Sequence, residues 1–149
     1  DRSVSGEKAV AETHERATVM MIFVEGYHEE RAASEEACEQ WLSEVYREFD
    51  NVLNSVEFRG KVVKINSSQN WYLVTCGVPR ACNNHADQCT AAGIKLQAAA
   101  RQVLRPGMKK GGRLVKGVRL PTVVKVGLDS GAVALGYVQP RRDSHKYGV

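Results

Sequence analysis

Between Cys76 and Cys89 the stretch CGVPRACNNHADQC gathers three of the chain's four cysteines and one of its four histidines. Three chemistries compete for it. Thiolates and imidazole suit tetrahedral zinc, and Cys82, His85 and Cys89 are three and four residues apart, so one side of a helix presents them together. With Cys76 the pattern is C-x5-C-x2-H-x3-C, and its first gap is longer than the tight knuckles of structural zinc sites. That gap argues against a metal, and no cofactor is expected. A disulfide among Cys76, Cys82 and Cys89 fits better. It would tie a strand end to a helix start, and closing a loop of about fifteen residues contributes on the order of 3 kcal/mol. Spacing does not rank the pairings. In the third reading Cys82 is a nucleophile and His85 its base, with Asn83, Asn84 or Asp87 orienting the ring. No glycine-rich oxyanion turn flanks that pair, so the weight of the sequence is against an enzyme.

Other sites are weaker still. The carboxylates of HEERAASEEACEQ crowd one helical region beside arginines, as a solvated helix face does, and no pair is set apart as buried acid and exposed base. GMKKGG lacks the spacing and the Lys-Ser/Thr end of a phosphate loop, and neither a dinucleotide fingerprint nor a nucleophile elbow occurs. Asn66-Ser67-Ser68 is a formal glycosylation sequon on an expected turn.

Charge is distributed unevenly. Residues 1–58 carry 5 Lys/Arg against 14 Asp/Glu, and residues 59–149 carry 16 against 3, behind a formal net charge of +4. Arg101, Arg105, Lys109, Lys110, Arg113, Lys116, Arg119 and Lys125 form a run with no acidic residue. Such a run attracts polyanions, with a steep salt dependence. No Phe, Tyr or Trp lies between Tyr72 and Tyr137, so stacking on unpaired bases has no platform, and recognition would be of duplex backbone or shape.

These residues need elements to hold them. With 43% apolar residues and four prolines, 149 residues make one core-forming domain, 1–149, with arms at 1–8 and 139–149. The longest apolar run, Val19–Val24, is far too short to span a membrane. Val10, Ala17, Met21 and Val24 recur at helical spacing, which predicts a helix over about 7–28, although Thr18–Val24 also reads as a buried strand. Ser34 caps a second helix of about twenty residues, whose stripe is Cys38, Leu42, Val45, Phe49 and Val52, widened by Trp41 and Leu53. VEFRGKVVKI and WYLVTC form a hairpin around the five-residue loop NSSQN. A third helix covers about 86–104, with Ala91, Ile94, Leu96, Ala98 and Val103 as its contacts, ended by Pro106-Gly107. RLVKGVRL, TVVKVGL and AVALGYV read as strands, with a tight turn at Asp129-Ser130-Gly131.

The expectation is therefore an α+β fold: an N-terminal helical pair plus an antiparallel sheet with a further helix, in the approximate order α-α-β-β-α-β-β-β. The expected function is a non-enzymatic module whose basic half engages a polyanion, duplex nucleic acid first. The alternatives are an assembly protein that forms homo-oligomers through acidic-helix to basic-sheet contacts, and a secreted effector with disulfides.

Overall fold

A computed structural model describes residues 11–107, 109–110, 113–114 and 120–136. The expected arms at 1–8 and 139–149 lie outside them. Among the described residues no helix is long and apolar enough to cross a membrane.

The first element corrects the reading of a helix. Residues Ala11–Val24 form a strand, β1. It pairs antiparallel on one side with β3 (Trp71–Cys76) and on the other with β6 (Val124–Gly136). With β2 (Val62–Ser68) added, the sheet order is β2-β3-β1-β6. Over Val19–Val24 both its packed face and its outward face are apolar, so its sequence runs without alternating. That continuous run is what imitated a helix. Thr18, Met20, Ile22 and Val24 point to the packed face and are buried, while Val19, Met21 and Phe23 point outward.

Helices cover the inner face. α1 (Tyr27–Ala33) and α2 (Glu35–Leu53) form the helical pair, and α3 (His85–Arg101) lies across β1 and β6. The Ser34 hydroxyl caps α2 by accepting the Ala37 N–H at 3.2 Å. Its stripe Cys38, Trp41, Leu42, Val45, Phe49 and Leu53 is buried as the periodicity predicts, and Val52 packs at the edge. Phe49 meets the Tyr72 ring edge-on at 5.2 Å. Of the contacts expected for α3, Leu96 and Val103 are buried and Ala91 packs at the core edge, whereas Ala98 is exposed. Cys89, Ala92, Gly93, Leu96 and Ala100 are buried, whereas Ile94 is 63% exposed. Gly93 matters here because a Cβ on it would stand 3.0 Å from the Met20 sulfur, so the glycine lets α3 approach the sheet.

The α+β class and the antiparallel sheet with helices on one face hold. The expected order is present from α1 onward, with one strand before it and with two short strands, β4 (Lys109–Lys110) and β5 (Arg113–Leu114), before β6. The hairpin loop is shorter than expected: Ser68 pairs with Trp71, leaving a turn of Gln69 and Asn70 with Gln69 at φ 35°. Asn66 therefore lies in β2 rather than on a turn. Asp129-Ser130-Gly131 is no turn either. It runs inside β6, opposite Val19, Thr18 and Ala17, because pairing along β1 outweighs local turn preference.

One polar cluster fastens the segments around residues 103–105 and 120–123 to the helices. Glu30 is 2% exposed, and its Oε1 accepts from Arg105 Nε at 3.1 Å. The Arg105 guanidinium lies over the Trp41 ring, and the Trp41 indole N–H donates to Thr122 Oγ1 at 2.8 Å. Thr122 Oγ1 in turn donates to the Val103 carbonyl at 2.6 Å. Gly26, at φ 80°, leaves the space in which this guanidinium sits.

Arg105→Met strands the buried Glu30 carboxylate, and the expected loss is about 3 kcal/mol; urea unfolding measures it, and adding Glu30→Gln restores most of the loss. Burial also pushes the Cys76 thiol up to about 12, with the adjacent Cys82 thiol adding to the effect, and the Cys89 thiol up to about 11. Both groups ionise more readily in the unfolded chain, whose thiols titrate near 9.0. Their contribution to stability is thus complete below pH 9 and is lost as pH rises toward 11 and 12. The melting temperature is expected to fall across this window, and to fall less in the Cys76→Ala, Cys89→Ala variant.

Candidate functional site

The outward face of the sheet is the surface that the helices leave uncovered. Register places its side chains in rows. Ser68, Trp71, Phe23 and Lys125 form the row at one end; Asn66, Leu73, Met21 and Gly127 the next; Val63, Thr75, Val19 and Asp129 a third. Phe23 is 43% exposed, and a Cβ on Gly127 would meet no described atom within 4 Å. The middle of the face is therefore a shallow apolar strip of Val19, Met21, Phe23, Trp71 and Leu73.

Its Phe23 end is the mouth, where three segments converge. The Val24 N–H donates to the Asn70 carbonyl at 2.8 Å, which sets the β2–β3 turn beside the end of β1. From the helical side the Tyr46 hydroxyl, 2.8 Å from the Gln69 carbonyl and 3.2 Å from that of Trp71, holds the same turn. Burial raises the pKa of Tyr46, keeping this hydroxyl a donor. Beyond β1, Glu25 Oε1 lies 3.3 Å from Lys125 Nζ, and Gly26 opens α1. Cations and anions at the mouth are thus already paired.

The basic run does not form one free surface. Arg105 is bound to Glu30 and Lys125 to Glu25. Arg101 ends α3 and is exposed; Lys109 and Lys110 form β4, and Arg113 begins β5. Lys116 and Arg119 lie outside the described residues. The cysteine cluster is partly assembled. Cys76 and Cys89 are core residues, Cys82 packs against that core, and the Cys76 and Cys82 thiols are within hydrogen-bonding reach. All four cysteines are free thiols here, and Cys82 donates to Asn84 Oδ1 at 3.0 Å. His85 turns to the sheet: its Nδ1 is 2.7 Å from Thr18 Oγ1, which is 2.7 Å from Ser130 Oγ. Among the described residues no group of three or more His, Cys, Asp or Glu is placed to hold a metal ion.

Sequence reasoning overlooked the outward face, although its signal was present. An apolar run without alternation on a strand means that both faces are to be covered, and the described helices cover only one of them.

The comparisons with known proteins bear on the whole domain. The family described as "Adenylate and Guanylate cyclase catalytic domain" matches residues 9–148. Among solved structures, the guanylyl cyclase Cya2 superposes with a TM-score of 0.69 at 16% identity, covering 90% of this chain and 61% of that one. The dimeric guanylyl cyclase domain of the RhoGC fusion protein from the aquatic fungus Blastocladiella emersonii gives 0.64 at 18% identity, covering 89% and 66%. The guanylate cyclase domain of RhGC from Catenaria anguillulae, solved in complex with GTP, gives 0.62 at 19% identity, covering 81% and 59%. The chain spans less than two thirds of the length of each. Among curated proteins none matches. At these identities the structures establish the fold, and the family match establishes the kinship. The reading of a non-enzymatic module that binds nucleic acid is overturned: over residues 9–148 the chain belongs to the family of adenylate and guanylate cyclase catalytic domains.

Proposed function

We propose that the chain works as a cyclase-type domain that pairs with a second cyclase-family domain through its outward sheet face, and that the mouth forms one wall of a shared site for a purine nucleoside triphosphate. The family match over residues 9–148 carries this reading. Two relatives bear on its parts: the RhoGC guanylyl cyclase domain was solved both as a non-canonical dimer and as a monomer, and the RhGC domain in complex with GTP. The outward strip supports the pairing. Val19, Met21, Phe23, Trp71 and Leu73 present apolar side chains on a surface that no described helix covers, and such a strip gains free energy by meeting another surface.

The reaction class follows from the family. In a nucleotide cyclase the ribose 3′ oxygen attacks the α-phosphorus of the triphosphate, an oxygen–phosphorus bond forms, and the bond to pyrophosphate breaks. Divalent cations neutralise the charge that develops on the phosphates, and such cations are held by one or two carboxylates together with the phosphates. At this chain's mouth Glu25 is the carboxylate that would serve such a cation, and its exposed pairing with Lys125 is weak enough to yield. Asp129 is the one carboxylate in the three outward rows, and it lies four residues along β6 from Lys125, about 13 Å at the usual rise of a strand.

Pairing is tested by sedimentation of the chain alone and mixed with a second cyclase domain. The expected result is association that Phe23→Glu weakens by about 30-fold, as a charge at a buried interface position costs about 2 kcal/mol. Phe23 faces away from the core, so the variant is expected to keep its circular dichroism. Association unchanged by Phe23→Glu, or no association in either mixture, would remove the proposed pairing surface.

A further inference from the structure

Cys76 ends β3 and is fully buried, in register with Thr18 of β1 and with Val62 of β2. Gly77, at φ 91°, turns the chain out of the sheet, and the connection comes back so that Cys82 packs against the same core. There the Cys76 and Cys82 thiols are within hydrogen-bonding reach of each other. Their surroundings differ. Cys82 is half-buried between exposed Ala81 and exposed Asn83, and its S–H donates to Asn84 Oδ1 at 3.0 Å. Cys76 has no exposed surface, and burial pushes its thiol up to about 12. One thiol is thus open to a reagent from solvent, and its neighbour is reached only through it. An exposed cysteine poised beside a second one is the arrangement of redox-responsive thiol pairs. The remaining cysteines are not placed this way. Cys89 is buried in α3, where burial alone raises its thiol, and Cys38 on α2 turns its S–H toward the Tyr27 carbonyl.

We propose that Cys82 is a modification site for small disulfides of the glutathione type, and that Cys76 resolves the adduct into an intramolecular Cys76–Cys82 disulfide. The Cys82 thiolate attacks one sulfur of the small disulfide, whose S–S bond breaks, and the other half leaves as a thiolate that takes up a proton. A mixed disulfide on Cys82 results. Cys76 then loses its proton to water and attacks the Cys82 sulfur, and the second small thiolate leaves and is protonated in turn. Two protein thiols are oxidised, and one small disulfide is reduced to two thiols. An excess of the small thiol drives both steps backward. Because the thiolate is the nucleophile, a thiol held protonated makes the second step the slower one, and it quickens as pH rises. Thr18, opposite Cys76, lies five residues along β1 from Phe23, about 17 Å at the usual rise of a strand. The thiol pair is therefore remote from the mouth and independent of the cyclase reading.

The test uses the full reduced chain in buffers spanning the ratio of reduced to oxidised glutathione, quenched with acid and alkylated under denaturation. Four alkylatable thiols are expected to fall to two, with the intact mass lower by two hydrogens and peptide mapping joining Cys76 to Cys82. Excess reduced glutathione should restore all four. Cys82→Ser is expected to lose thiols at least tenfold more slowly, and Cys89→Ala to form the bond as the natural chain does. Cys76→Ala, with its circular dichroism unchanged, should stop at the mixed disulfide and keep the mass of one glutathione. A natural chain that retains four thiols in oxidised glutathione, that stops at the mixed disulfide, or that joins any other pair of cysteines overturns the proposal. Because the natural chain alone decides these outcomes, a variant that fails to fold does not shelter the proposal.

Discussion

Everything in this fold depends on β1 having a neighbour along both edges. Because β3 and β6 satisfy its backbone hydrogen bonds, β1 is free to be apolar on both faces, and the outcome differs from one face to the other. Inward, Met20, Ile22 and Val24 anchor the core under α2 and α3. Outward, Val19, Met21 and Phe23 make an apolar strip that no described helix covers. The same strand ends at the mouth, so core, outward face and candidate site are set by a single segment of fourteen residues.

The opposed charges of the two halves find each other within the molecule. Glu25 with Lys125, Glu30 with Arg105, Asp50 with Lys64 and Glu57 with Lys95 each join an acidic residue of the first 58 to a basic residue beyond it. Three of these pairs are exposed enough to contribute little. The Glu30–Arg105 pair is different, because its carboxylate is shielded from water and its guanidinium rests on Trp41. A basic run in a sequence can thus be the answer to acids elsewhere in the same chain.

How much could be read beforehand depended on which contacts define an element. α2 was legible almost residue by residue, since a helix with one buried side writes its geometry as a 4-3-4-3 stripe of Cys38, Leu42, Val45, Phe49 and Val52. The α+β class followed from the change of period after it. β1 was only half legible, Thr18–Val24 reading both as helix and as buried strand: a central strand has no alternation, and its partners in β6 lie a hundred or more residues away. The same long-range pairing hid Asp129-Ser130-Gly131 inside a strand. The candidate site left almost no trace, because sequence reasoning searches for reactive side chains. Here the informative residues are Val19, Met21, Phe23, Trp71 and Leu73, an apolar outward strip with no reactive group. Cysteines and lysines, chemically conspicuous, drew attention to places that the fold uses for packing and for internal charge pairing.

The excursion that carries β4 and β5 leaves and rejoins the body at one narrow gate. Arg105 N–H bonds the Leu120 carbonyl at 2.8 Å, and Thr122 N–H bonds the Val103 carbonyl at 3.0 Å. Closing such a gate fixes both ends independently of what lies between, and lengthening the enclosed chain adds only slowly to the entropic cost. Lengthening or recharging the chain between Arg105 and Leu120 is thereby expected to leave the register of β6 on β1 undisturbed.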